Sequence, residues 1–179
     1  MGELKTDQRN VSDLLSVSVA DTATDPVSVA EAKAYARIDQ DTEDSIVEML
    51  IHSASDAFED YTGKLLIQRA VTVQFLSYGD DILYLPWLPI VSITSVQKEG
   101  EDVEYEQYGD VLTVNTSGKI DVEYEAGLFE SNTDEAVKLG ILKWIVSNYE
   151  DRQDVAAMSV QKLPNGSMHH WNRYKTQTI

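Results

Sequence analysis

The chain has 179 residues, and its 14 Lys and Arg against 31 Asp and Glu give a formal net charge of −17 at pH 7. Hydrophobic residues make up 42 %, enough for a folded core and too many for a wholly disordered chain. The chain contains no cysteine, which excludes a disulfide scaffold, a thiol nucleophile and a thiolate metal site. The excess of acids argues against wrapping nucleic acid or docking on an anionic membrane, because both require clustered Lys and Arg.

The sequence shows neither the pattern of a membrane-spanning segment nor that of an export signal. No apolar run approaches the roughly 20 residues that span a bilayer, and residues 1–10 lack the apolar core of a signal peptide. Residues 1–25 show no sustained helical or strand period, so we interpret them as a flexible N-terminal arm. The sequence thus predicts a soluble protein with one main domain over residues 26–154 and no membrane partner.

Two helices are predicted at the start of this domain. The first covers about residues 28–38, where Ser28 and Glu31 have the spacing of a capping box. The second covers about residues 43–62, where apolar residues recur at spacings of three and four and Gly63 suits a helix C-terminus.

A third helix is predicted at about residues 133–151, with Thr133 or Asn132 as its N-cap. Its apolar residues cover most of the helix circumference, which is typical of a central, buried helix. We therefore expect the three helices to share one core, formed by Ile46, Leu50, Phe58, Ile141, Trp144 and Ile145.

Residues 65–125, between the second and third helices, have the character of β structure. Val71, Val73 and Phe75 alternate with polar residues, as in a half-buried strand. Further strands are predicted near 82–85, 90–98, 110–115 and 119–125, separated by Gly and Pro. The predicted fold class is α+β: a small bundle of three main helices with an inserted antiparallel β region and extended N- and C-terminal arms.

The C-terminal tail, residues 155–179, differs from the rest in charge, with three basic residues and no acidic one. It contains Trp171, Arg173 and Tyr174, which are residue types that anchor protein interfaces. Because the tail has few apolar residues, we expect a partner rather than the chain itself to order it. Truncation after Ala157 would then leave the stability of the core nearly unchanged.

Acidic residues are concentrated between Glu99 and Glu135. This segment contains twelve Asp and Glu residues and one basic residue, Lys119. Such a segment is either a solvated face or a surface for a partner. The acids at its start are candidates for a functional surface: Glu99, Glu101, Asp102, Glu104 and Glu106.

Motifs for catalysis or cofactor binding are missing from the sequence. There is no glycine-rich phosphate loop, no GxSxG and no HExxH. Asp39, Asp41 and Glu43 resemble the start of a calcium loop, but Asp44 stands where that loop needs Gly and Leu50 where it needs Glu. We therefore predict no catalytic residue, no cofactor and no metal. A hydrolase built on a pair of carboxylates stays open as an alternative, as does an acidic interaction module.

Several segments, in order, resemble the head–tail connector (adaptor) proteins of long-tailed bacteriophages. They are VSVAEAKAYARID at 27–39, FEDYTGKLL at 58–66, LYLPWLPIVSITSV at 83–96, VEYEAG at 122–127 and YEDR at 149–152. The resemblance covers residues 26–152 and leaves both ends of the chain unmatched.

This resemblance implies a structural protein of the virion neck, made in the host bacterial cytoplasm and without enzymatic activity or cofactor. It implies a ring of twelve subunits beneath the portal protein, which extends the DNA channel and supports the stopper or tail-completion protein. DNA would pass through without specific binding. The tail residues expected to contact the portal are Leu163, Trp171, Arg173, Tyr174 and Lys175, and the five acids from Glu99 to Glu106 are expected to face the channel or a neighbouring subunit.

Overall fold

A computed structural model describes residues 10–21, 24–79, 81–131, 133–150 and 165–175 of the chain. The fold is α+β, as predicted, and the chain divides into two compact units. Met1–Asp21 and Arg69–Ala126 form one of them, here called the β unit. Thr22–Gln68 and Gly127–Ile179 form the other, here called the helical unit.

The described part of the helical unit contains four α-helices and two short 3-10 turns. The helices are α1 (Val29–Ala36), α2 (Asp44–Thr62), α3 (Glu135–Glu150) and α4 (Asn165–Trp171), and the 3-10 turns are Asp41–Glu43 and Asn172–Tyr174. The three predicted helices are confirmed to within two residues at their ends, and α4 is a fourth that the sequence analysis did not predict.

Local side-chain chemistry sets the ends of the first two helices. The Ser28 hydroxyl accepts a hydrogen bond from the backbone N–H of Glu31 at 3.2 Å, and the Glu31 carboxylate accepts one from the backbone N–H of Ser28 at 2.8 Å. This reciprocal pair is the predicted capping box. At the end of α2, Gly63 adopts a left-handed conformation with φ 69°, which costs glycine little because it has no Cβ.

The start of α3 differs from the prediction. The Asp134 carboxylate accepts a hydrogen bond from the backbone N–H of Ala136 at 2.9 Å, and its carbonyl accepts one from Lys138. Asp134 therefore caps the helix, and the expectation that Thr133 does so is wrong; Asn132, the other predicted cap, lies outside the described residues. Thr133 is buried just before the cap.

A single apolar core holds the helical unit together. Leu50, Phe58, Ile141, Trp144 and Ile145 are all buried in it, which confirms the predicted core set, and Ile46 packs against it partly buried. The core also contains Trp171 from the C-terminal tail, which the sequence analysis placed on a partner.

The β unit contains nine strands in its described part. They are β1 (Asn10–Val11), β2 (Asp13–Val19), β3 (Arg69–Tyr78), β4 (Asp81–Tyr84), β5 (Ile90–Lys98), β6 (Glu101–Asp102), β7 (Tyr105–Tyr108), β8 (Val111–Val114) and β9 (Ser117–Ala126). Two sheets result, one of four strands in the order β1-β4-β8-β7 and one of five in the order β2-β3-β9-β5-β6. The strand pairs are antiparallel except β1 with β4, which is parallel.

Alternation along β3 and β9 creates the core of the five-stranded sheet. Val71, Val73 and Phe75 lie opposite Tyr124, Val122 and Ile120, and all six are buried. Because directly opposite residues of an antiparallel pair share a face, these side chains form one apolar surface. The period-2 pattern read from the sequence therefore gives the correct buried face.

Two expectations about chain organisation are wrong. Residues 10–19, read as part of a flexible arm, form β1 and β2 and add an edge strand to each sheet. The β region is consequently built from residues 69–126 together with residues 10–19. It forms two sheets, where one inserted sheet was expected. The alternation Leu15-Ser16-Val17-Ser18-Val19 is the period of a strand, but it spans only five residues, and only the pairing with β3 shows that it belongs to the sheet.

Candidate partner-binding surfaces

The C-terminal segment, residues 165–175, folds onto the helical unit. Trp171 is fully buried, its ring meets that of Phe58 edge to face at a centroid distance of 5.5 Å, and its indole N–H donates to the carbonyl of Val137 at 3.5 Å. An indole buried with its N–H directed at a carbonyl is a core residue, because burial satisfies both its apolar ring and its polar atom.

Gly140 of α3 makes room for this indole. A Cβ at position 140 would lie 2.2 Å from the Trp171 Nε1 atom, far inside van der Waals contact. The Ser167 hydroxyl donates to the Gly140 carbonyl at 2.8 Å, which fixes α4 over the same turn of α3. A helix-weakening residue in the middle of α3 thus serves the docking of the tail.

A polar cluster joins the last residues of this segment to the start of α3. The Arg173 guanidinium pairs with the Asp134 carboxylate at 2.5 Å, and the Tyr174 hydroxyl donates to the same carboxylate at 2.9 Å. The pKa of Asp134 is lowered, first by the backbone N–H of Ala136 and then by the Tyr174 hydroxyl. The pKa of Tyr174 is raised, chiefly by its partial burial. The cluster keeps Asp134 charged both as a helix cap and as an ion-pair partner.

Further contacts tie the segment to α2 and α3. The Tyr61 hydroxyl donates to the Asn172 side-chain oxygen at 3.3 Å, and the Lys175 ammonium lies 4.8 Å from the centre of the Tyr61 ring. The His170 Nε2 atom lies 3.0 Å from the Lys143 ammonium. The pKa of His170 is lowered by burial first and by the charge of Lys143 second.

These contacts correct the expectation that a partner orders the tail. Residues 165–175 have their own docking site within the chain, and Trp171 is not available as a surface anchor while that site is occupied. Arg173 and Lys175 stay exposed and Tyr174 partly so. Leu163, the remaining residue predicted to contact the portal, lies outside the described residues.

The five candidate acids lie on a short stretch of the β unit, from the end of β5 to β7. Glu99 lies in the turn after β5, Glu101 and Asp102 form β6, Glu104 follows β6, and Glu106 lies in β7. All five are exposed. Asp102 accepts a hydrogen bond from Gln97 at 3.0 Å, and Glu106 accepts one from the Tyr108 hydroxyl at 2.7 Å.

An open groove of about 630 Å³ runs beside two of these acids. Val103, Glu104, Tyr105 and Glu106 line it together with residues 113–115 of the neighbouring chain segment. Its walls mix carboxylates with apolar and aromatic atoms, a composition that suits a polypeptide surface better than a small anionic ligand.

Exposed apolar residues of the β unit were missed by the sequence analysis. Tyr84 and Tyr108 lie on either side of Val111 across the four-stranded sheet and are 54 % and 59 % exposed. Leu14, Leu15 and Val17 of β2 are exposed as well. Alternation in the sequence could have indicated a free face for β4 and β8, but only the sheet order shows that β2 and β7 are edges.

The described residues show neither of two features that other functions would need. No three His, Asp or Glu side chains among them are arranged to hold a metal ion. Within the same residues, no helix combines the length and apolarity required to cross a membrane.

Comparison with known proteins assigns the chain to a family. The profile of the head completion protein family matches residues 26–156, which is most of the chain. The chain is a head completion protein family member. The family match covers the same stretch as the resemblance to connector proteins and confirms it, and it leaves out β1, β2 and the docked segment 165–175.

Solved structures show the same fold. The chain superposes on a protein from the neck of an empty gene transfer agent (GTA) particle, computed with C6 symmetry, with a TM-score of 0.69 and 20 % identity. A neck of the native GTA particle, computed with C12 symmetry, gives 0.66 and 17 %. Both alignments cover 92 % of this chain and 97 % of the other. A search of curated proteins finds no match.

Proposed function

We propose that the protein is a head–tail connector subunit of a phage-like virion, located in the neck, where it forms a ring of twelve copies beneath the portal. The observation that carries the proposal is the head completion family match over residues 26–156. The fold shared with proteins in the necks of GTA particles supports it, since 97 % of that chain aligns. The role is structural, and the stopper or tail-completion protein would bind the opposite face of the ring.

The charge of the chain suits a conduit for DNA. Carboxylates close to passing phosphates repel them at short range, so that DNA slides without adhering. The five exposed acids from Glu99 to Glu106 are our candidates for the channel wall or a subunit contact. Their exposure supports the proposal because a carboxylate at the wall must be accessible to solvent.

The portal contact is proposed for the exposed atoms of the C-terminal segment. Arg173 and Lys175 present cations at the surface, and the portal would offer carboxylates to them. Arg173 is already paired with Asp134, so portal binding would exchange one carboxylate partner for another. Leu163 remains part of this proposal.

A hydrolase mechanism gains no support from the carboxyl groups that the structure perturbs. Glu31, Asp41 and Asp134 have lowered pKa values, because hydrogen bonds from Ser28, Lys33 and Ala136 favour their charged forms. A general acid needs the opposite shift.

Deletion of the gene from a strain that produces the particles tests the proposal. We expect heads and tails to accumulate separately, and wild-type protein supplied in trans to restore joined particles. Electron micrographs of purified heads should show a ring at the portal vertex only when the protein is present. Normal joined particles from the deletion strain would contradict the proposal and favour an interaction module unrelated to virion assembly.

A further inference from the structure

The outer edge of β2 is an exposed strand edge with apolar side chains. β2 is seven residues long and pairs only with β3 among the described strands. Leu14, Val17 and Val19 lie opposite the buried Phe75, Val73 and Val71, so they extend the core face of the five-stranded sheet past its covered part. Leu14 is 51 % exposed and Val17 38 %. The edge thus leaves apolar surface exposed to solvent.

Alternate residues of β2 direct their backbone N–H and C=O groups away from β3. The N–H of Ala20 donates to the carbonyl of Ala70, and the register places Val19 opposite Val71 and Val17 opposite Val73. Because alternate residues of an antiparallel strand bond to the same neighbour, Ser16, Ser18 and Ala20 bond to β3. The N–H and C=O groups of Val17 and Val19 therefore point outward.

β2 lacks the residues that usually keep a free sheet edge from pairing with a further strand. β2 has the sequence DLLSVSV, with no Lys or Pro and a single acid at its first residue. Edges that stay free in solution usually carry such residues, because unpaired backbone groups recruit other strands. The composition of β2 is that of a strand that acquires a partner.

The remaining edges of the β unit differ in their suitability as that partner. β6 consists of Glu101 and Asp102, and β1 has two residues. β7 is four residues long, is the outer strand of the four-stranded sheet, and carries exposed Tyr105 and Tyr108 with one acid, Glu106. In a chain of net charge −17, two copies meet at least cost where carboxylates are few. β2 carries one acid in seven residues and β7 one in four, with Glu104 directly before β7, whereas both residues of β6 are acids.

We propose that β2 of one copy pairs edge to edge with β7 of the next copy, and that this pairing is the repeated contact of the ring. The inference rests on the proposed neck function. A closed ring needs a head-to-tail contact between two different surfaces of each subunit, and β2 and β7 are two such surfaces. Outward backbone groups give the affinity, and the apolar row of β2 and the tyrosines of β7 exclude water from the joint.

Cysteine cross-linking tests the pairing, because the chain has no cysteine of its own. Particles are prepared with the double variant Leu15→Cys and Tyr105→Cys and treated with a short bis-maleimide. We expect a ladder of dimers, trimers and larger multiples of this chain on a denaturing gel. Each single variant should give only the monomer.

Three results would overturn the pairing. Dimers from Leu15→Cys alone would indicate a β2–β2 contact. A cross-link to a different neck protein would identify another occupant of the β2 edge. Absence of a ladder, with an immunoblot showing the chain in purified particles, would exclude the contact. If the immunoblot shows no chain in the particles, the proposed neck function fails instead.

A proline at Val17 provides a second test. Proline lacks the outward N–H and leaves the bonds from Ser16 and Ser18 to β3 in place, so the subunit should still fold. We expect Val17→Pro to abolish the ring on purified heads, while Val17→Ile, which keeps the N–H, retains it. Melting curves of the two isolated variants check that both are folded. A normal ring with Val17→Pro would contradict the proposal.

Discussion

At the scale of single residues, the docking of Trp171 depends on the missing side chain at Gly140. Glycine in a helix interior costs about 0.5–1 kcal/mol relative to alanine. The chain bears that cost at Gly140 because the Trp171 indole occupies the space of a Cβ. Stability here comes from burying one large aromatic ring beside Phe58.

Gly140→Ala should therefore destabilise the protein, by about 1–3 kcal/mol, since the new methyl group displaces the indole. Urea unfolding followed by circular dichroism measures the change. In a Trp171→Ala background the sign should reverse, with Gly140→Ala stabilising by about 0.5–1 kcal/mol through helix propensity. Stabilisation in the wild-type background would show that the indole does not lie against Gly140.

The lowered pKa of Asp134 predicts a pH dependence of stability. Its folded-state pKa lies below the unfolded one, so its contribution is present above about pH 4 and is lost as the pH falls through the folded value. As the pH falls from about 5 to about 2, the Asp134→Asn variant should therefore lose less unfolding free energy than the wild type does. Chemical denaturation at a series of pH values measures it. Glu130→Gln, at an exposed acid outside the helix, is the matched control, and an equally reduced loss there would contradict the assignment.

At the scale of elements, the C-terminal segment behaves as a fourth helix of the helical unit. Its order arises from contacts with α2 and α3, which include Phe58, Tyr61, Val137 and Gly140. A short helix of seven residues is not stable alone, so these contacts must supply its stability.

Truncation after Ala157 should consequently lower the stability of the core, in contrast to the sequence-based expectation of no change. The single change Trp171→Ala removes a fully buried indole and should cost about 3–5 kcal/mol. Thermal melting of wild type, the truncated chain and Trp171→Ala compares the three. Glu130→Gln, at an exposed acid outside this segment, is the control. Unchanged melting of the truncated chain would place the segment elsewhere than on the helical unit.

At the scale of the whole molecule, the net charge of −17 sets the relation of the protein to DNA. We expect purified protein to show no affinity for duplex DNA at physiological salt, because binding requires Lys and Arg to replace the counterions of the phosphates. A gel shift with a salt titration checks this. A shift at low micromolar protein that weakens steeply with salt would contradict the proposal that the channel wall repels DNA.

Local features of this fold follow directly from the sequence. The capping box of Ser28 and Glu31, the left-handed Gly63 and the apolar stripe of α2 depend on neighbours a few residues away, so spacing alone predicts them. The alternation of β3 and β9 is equally local. Net charge and the absence of cysteine likewise need no structure, and the connector resemblance followed from short segments in order.

Tertiary structure alone decided where the two ends of the chain go. β2 is placed by pairing with β3 across more than fifty residues of chain, and Trp171 by a pocket whose lining comes from α2 and α3. The alternation over residues 15–19 is only five residues long, and the tail buries one large side chain, Trp171, so neither pattern shows where its segment packs. Their positions depend on long-range complementarity of shape and hydrogen bonding, which spacing within a segment does not encode.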